Sequence, residues 1–261
     1  RLHEELLHGS PITVLWQLDD CYEMTLKFLS LALAADLLQH GEAATRKRVR
    51  QGILKTLSGG AWANLWTATL VRLGSEHRTL LTLPQLVDPA RFWAGSGKGS
   101  FPDAFSAMIA HRNATKGHGA LGYDQLEQVE GFAPHLGALA RFAETGLADF
   151  DDLHLTDPAE GTPWLGWQMI RARHDQDTGH HADEVAPLSL VDPLRGASLE
   201  LAPLIAQRRC LHCARRDVFL FDSFAARGEG GIFYLLDHLA GHRMSPHHHE
   251  AEDLGALLKH L

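Results

Sequence analysis

The octet Arg112-Asn113-Ala114-Thr115-Lys116-Gly117-His118-Gly119 contains the residue types in this chain best suited to chemistry. Arginine stays charged at any cellular pH and offers a fork of donors that matches phosphate oxygens. Histidine titrates near neutrality, so it can take or give a proton during a reaction. Arg112 and His118 are close in sequence, with the polar Asn113 directly after the arginine. Together they read as a phosphate clamp beside a general acid/base, a site for cutting or binding a phosphodiester. The same residues have a plainer reading, in which Arg-Asn closes a helix and Gly117 and Gly119 form the loop after it.

Helices must carry that octet. Ser10-Pro11 is a helix start, with serine as N-cap and proline at the first helical position. Leu15, Leu18, Tyr22, Leu26, Leu29, Leu33 and Leu37 then recur at spacings of three and four as far as Gly41. That pattern predicts a helix of about thirty residues, suited to a bundle. Val49, Ile53 and Leu57 predict a second helix closed by Ser58-Gly59-Gly60, and Trp62, Leu65, Trp66, Leu70 and Leu73 a third. Arg91 to Ser100 reads as a connection, because its glycines lack the spacing of a phosphate loop and no strand precedes them. Pro102 opens a helix through Phe105 and Ile109 that delivers Arg112 at its end. After a Gly117 to Gly119 loop, Leu126, Val129, Leu136, Leu139 and Phe142 mark a long helix closed near Gly146. Residues 1–150 therefore read as an all-helical bundle.

The pattern changes after Asp149. Trp167 to Arg173 alternates with a period of two, Asp175 to Glu184 reads as a polar loop, and Ser198 to Ile205 and Val218 to Phe224 are further strand candidates. Phe233 to Leu239 suits a strand or a short helix. Residues 151–261 thus read as a small α+β domain with an antiparallel sheet, and the chain as mainly α.

The chain has 261 residues with 45% hydrophobic and 21% charged side chains, values typical of a protein that buries a core. No run of 18 apolar residues occurs, so no membrane partner is expected. Three cysteines argue against a disulfide framework and suit a reducing cytoplasm. The sequence begins at Arg1 rather than Met, as a piece of something longer would. The net charge of -8 argues against a bulk electrostatic grip on nucleic acid. Residues 1–150 carry 14 Lys/Arg against 15 Asp/Glu, a net of -1, whereas residues 151–261 carry 10 against 17, a net of -7. Any RNA is therefore expected on the first half, where Arg46, Lys47, Arg48 and Arg50 cluster, with Lys116 inside the octet. A solvated helix face is the plainer account of that cluster.

Around the octet the sequence resembles the HEPN family, helical-bundle domains of prokaryotic RNases, toxins and defence proteins. The family motif is an arginine followed by a polar residue, then a histidine after four to six intervening residues. Arg112, Asn113 and His118 fit that motif, and the resemblance extends over roughly residues 10 to 147. It implies metal-independent RNA cleavage without a cofactor, leaving 2′,3′-cyclic phosphate ends, at a site completed by homodimerisation. In that scheme Arg112, His118 and Asn113 are catalytic. The alternative is a non-catalytic HEPN-like module that binds nucleotide, RNA or protein among the other subunits or domains of a signalling or defence complex.

Cys210-Leu211-His212-Cys213 is the other candidate site, half of a zinc ribbon between two strand candidates. The remaining cysteine, Cys21, lies in the first helix, so Cys210 and Cys213 are expected to be free thiols in a tight turn. His180, His181 and His247 to His249 could supply further ligands, yet the 247–249 tract adjoins acidic residues and reads as a solvated turn.

Overall fold

The computed structural model describes residues 11–55, 59–90, 101–116, 133–156, 163–164, 186–202, 204–209, 216–227, 230–237 and 242–244. The expectations for Ser10, Leu57, Arg91 to Ser100, the Gly117 to Gly119 loop with His118, Leu126, Val129, Trp167 to Arg173, the histidine tracts and the Cys210/Cys213 pair lie outside these residues. The described chain is mostly helical, and its strands follow residue 153.

Helix α1, Pro11–His40, is the axis of the fold. Leu18, Tyr22, Leu26, Leu29, Leu33 and Leu37 are buried, as their spacing requires. From Leu29 to Leu38 every residue is buried, so this stretch is covered all round rather than on one stripe. Its neighbours explain why: helices pack on α1, and so do strands of the second half. The helix stops where the Gly41 N–H returns to the Leu37 carbonyl at 3.0 Å.

Helix α2, Ala43–Ile53, buries Thr45, Val49 and Ile53 on one face. Helix α3, Gly59–Asn64, runs through a π-helical segment, Leu65–Leu70, into α4, Val71–Glu76. There the Val71 N–H reaches the Trp66 carbonyl, five residues back, so the chain carries an extra residue in that turn. Trp62, Trp66 and Leu70 are buried against α1. A short 3-10 turn, Pro84–Val87, follows. Helix α5, Phe101–Lys116, and α6, Ala133–Arg141, complete the helical part, with a second π segment, Phe142–Gly146, after α6.

The strands form two antiparallel sheets. One has the order β2 (Pro163–Trp164), β1 (His154–Thr156), β4 (Ser189–Asp192), β5 (Ala197–Glu200). The other runs β3 (Ala186–Pro187), β6 (Ile205–Arg209), β7 (Arg216–Arg227), β8 (Gly230–Asp237), β9 (His242–Met244). The turn between β4 and β5 needs a left-handed residue, which Gly196 supplies at φ 63°. Ser198 to Ile205 is not one strand: the Leu204 and Ile205 N–H groups both fold back on the Leu201 carbonyl, and the chain leaves the first sheet for the second. The Phe233 to Leu239 alternatives resolve as strand over the described part, β8. No helix follows residue 150 among the described residues.

One hydrophobic core spans both halves, from Leu18 through Trp66 and Phe105 to Leu199 and Phe221. Hydrogen bonds tie the halves together as well. Gln85 Nε2 donates to buried Asp192 at 2.9 Å, and Gln39 Nε2 donates to the Glu200 carbonyl at 2.6 Å.

Candidate functional site

The helix that carries the arginine is fixed at its start by aromatic packing. Phe101 stacks on Tyr22 of α1 with centroids 4.8 Å apart, and on Phe142 at 4.1 Å. The Tyr22 hydroxyl donates to the His135 carbonyl of α6. Offset stacking of this kind adds about 0.5–1.5 kcal/mol per pair beyond burial, so three segments are clamped at one point. Phe101, Ala104, Phe105 and Met108 are the buried face of α5, and Asp103, Ser106 and Ala110 are exposed.

Helical periodicity puts position 112 in register with Phe101, Phe105 and Met108, one turn beyond Met108. Lys116 follows a turn later on the same line, and Asn113 sits one step round. Helix α5 continues to Lys116, so Arg112 does not end it. Ala114 and Lys116 are good helix formers, and the first strong breaker is Gly117. The backbone thus places Arg112, Asn113 and Lys116 on one rigid helix. Their side chains, and His118 entirely, lie outside the described residues.

The basic cluster stands on a different element. Arg46, Lys47, Arg48 and Arg50 belong to α2, whose inner face is Thr45, Val49 and Ile53. Lys47 and Arg48 are exposed, while Arg46 and Arg50 are half-buried. Arg46 Nη1 donates to the Gly41 carbonyl at 3.1 Å, so that guanidinium helps close the α1–α2 turn.

Other titratable groups are arranged for structure. Lys27, 2% exposed, pairs with Glu23 at 2.8 Å and lies 5.8 Å from the Trp62 ring centre. Asp36, fully buried, accepts the Thr82 and Leu83 N–H groups, each at 2.9 Å. Burial pushes its carboxyl above the usual range, although those two donors and nearby His40 pull the other way. Neither residue belongs to a motif of the kind that marks a chemical site in the sequence. The signal was there, a lone Asp and a lone Lys inside an apolar helical run. Burial, with Asp20 adding to it, pushes the Cys21 thiol up to about 11, so burial favours the neutral thiol there. Burial also lowers His135 below the usual imidazole range, against an upward pull from Asp103.

Among the described residues no three His, Cys, Asp or Glu side chains gather to hold a metal, and no helix is long and apolar enough to cross a membrane. Strands β6 and β7, which flank Cys210 and Cys213 in sequence, are antiparallel neighbours with Arg209 opposite Arg216. Compared with protein families, with curated proteins and with solved structures, the chain shows no match.

Proposed function

We propose that this chain is a HEPN-like, metal-independent endoribonuclease of toxin or antiviral-defence type, acting in the cytoplasm as a homodimer. Its support is the placement of Arg112 and Asn113 within the final turns of α5, a helix clamped at its other end by Tyr22, Phe101 and Phe142. A rigid helix is a better platform than a loop for a charge that must meet a developing phosphorane. In the proposed reaction the ribose 2′-oxygen attacks phosphorus and the 5′-oxygen leaves. His118 takes the proton from the 2′-hydroxyl or supplies one to the leaving oxygen. Arg112 neutralises the phosphorane charge, and Asn113 orients the pair. The products are a 2′,3′-cyclic phosphate and a 5′-hydroxyl. The internal nucleophile already supplies the proximity that a metal-bound water would otherwise need.

The test is direct. Purified protein incubated with total RNA in EDTA is expected to cut it and leave cyclic phosphate ends; 3′-hydroxyl ends, or uncut RNA, would refute the reading. Light scattering is expected to give a dimer whose activity falls on dilution, because the family scheme joins two motifs across a two-fold contact. A monomer that still cleaves would refute the composite site. The net charge of -8 favours a second reading, a non-catalytic module that binds nucleotide, RNA or protein inside a larger complex. Uncut RNA with retained binding would select it.

A further inference from the structure

Residues 43–75 contain no Asp or Glu, yet they carry Arg46, Lys47, Arg48, Arg50, Lys55 and Arg72, in a chain of net charge -8. The fold gathers these cations on packed helices. Helix α2 lies so close to the π segment that a Cβ added at Gly52 would stand 2.6 Å from Leu65 Cδ1. Glu76, the first acid after the run, bonds Arg72 Nε at 2.9 Å and also feels the charge of Arg48 across from α2. Thr45 of α2 and His77 Nε2, directly after α4, lie 3.0 Å apart, so the cations of α2 and α4 stand on neighbouring elements.

They are not equivalent. Arg46 is committed to the Gly41 carbonyl, and Arg46 and Arg50 flank the buried Thr45, Val49 and Ile53. Lys47, Arg48 and Lys55 are exposed, and the Arg72 side chain is 71% exposed. The residues between them on the outer face are Ala44 and Gln51, both exposed. Among the described residues the exposed large apolar side chains are Leu80 and Leu194, neither of them on α2. A protein partner would need a desolvated apolar or aromatic anchor at the centre of its footprint. A surface of spaced cations without such an anchor suits phosphates, which fix position without reading bases.

We propose that Lys47 and Arg48 of α2, Lys55 just beyond its end, and Arg72 of α4 form a sequence-independent binding surface for the RNA backbone. The choice of RNA rests on the RNA-directed reading above, but not on the chemistry of Arg112 and His118.

The probe is a fluorescently labelled single-stranded RNA with 2′-O-methyl riboses, which lacks the 2′-hydroxyl nucleophile and reports binding whether or not the protein cuts. Fluorescence anisotropy would compare wild type with the double variant Lys47→Glu/Arg48→Glu over a salt series. Both positions are exposed, so the circular dichroism melt is expected to be unchanged. The dissociation constant should rise at least ~10-fold, and the slope of log affinity against log salt should fall by about two. Arg72→Gln should weaken binding in the same direction by about 3-fold or more at low salt. Affinity of the double variant within about twofold of wild type, at low salt where phosphate contacts count most, would overturn the proposal. So would wild-type protein that leaves the probe unbound, even if it cleaves natural RNA. If natural RNA stays intact while the charge reversal abolishes probe binding, the surface stands and the nuclease reading falls.

Discussion

Replacing His118 by alanine is expected to slow RNA cleavage by ~10²–10⁴-fold, the usual loss when a general acid/base is removed. His118 stands between two glycines, a setting that suits an accessible loop better than a core position. The thermal melt of the variant should therefore match wild type. Arg112 requires a gentler substitution, because helical register puts position 112 on the line of Phe101, Phe105 and Met108. Arg112→Lys keeps the charge and the bulk but removes the fork of donors, so its rate should fall while its melt holds. Wild-type rates in both variants would sink the assignment of these residues. A His118→Ala protein that unfolds would instead mark the histidine as structural.

Asp36→Ala is expected to destabilise the fold by about 3 kcal/mol, because it strips the partner from two backbone donors and an unpaired buried donor costs about 1–3 kcal/mol. The Leu83 N–H is buried, and the carboxylate is what holds residues 82–83 against α1. For a chain of this size that should lower the melting temperature by roughly 6–12 °C. The pH dependence has a definite sign. Burial raises the folded-state pKa of Asp36 above its unfolded value, so between the two values the folded protein holds the extra proton. The stability due to that extra proton is therefore fully present below the unfolded pKa and is lost as pH rises through the folded value, while the two N–H bonds remain. Wild-type stability should carry this downward component and the alanine variant should lack it. A variant that melts with wild type at neutral pH would show that the 82–83 segment is held by other contacts.

The long first helix was readable in the sequence because its pattern is redundant. Leu18, Tyr22, Leu26, Leu29, Leu33 and Leu37 recur at intervals of three and four, and all are buried. The start of α5 at Phe101, next to Pro102, was readable for the same reason: a proline in the first turn is a local signal. What periodicity could not reveal is non-local. Leu199, Leu201, Leu204 and Ile205 are all buried, so their apolar pattern reads as one strand, and the break shows only in Pro203, which stands where the chain passes from one sheet to the next. The π segments at Leu65–Leu70 and Phe142–Gly146 add a residue to a turn without changing which side chains are apolar. The site was legible only as a motif. Arg112 and Asn113 could be placed on a helix, but the exclusion of Arg46 from the exposed cations depends on its bond to Gly41, which no spacing predicts.

The burial of Leu29 to Leu38 on every side also constrains how the chain can be made. Tyr22, Gln39 and Gln85 hold partners 113, 161 and 107 residues further along. On a ribosome adding ~5–20 residues each second, α1 would wait roughly 8–30 s between its own emergence and that of the strand holding Glu200. During that interval the apolar surface of Leu29 to Leu38 has no sheet to cover it. Closing such distant pairs also makes folding slow once synthesis is complete. Overexpression at high temperature is therefore expected to favour aggregation over folding, which the soluble fraction measured over a temperature series would show.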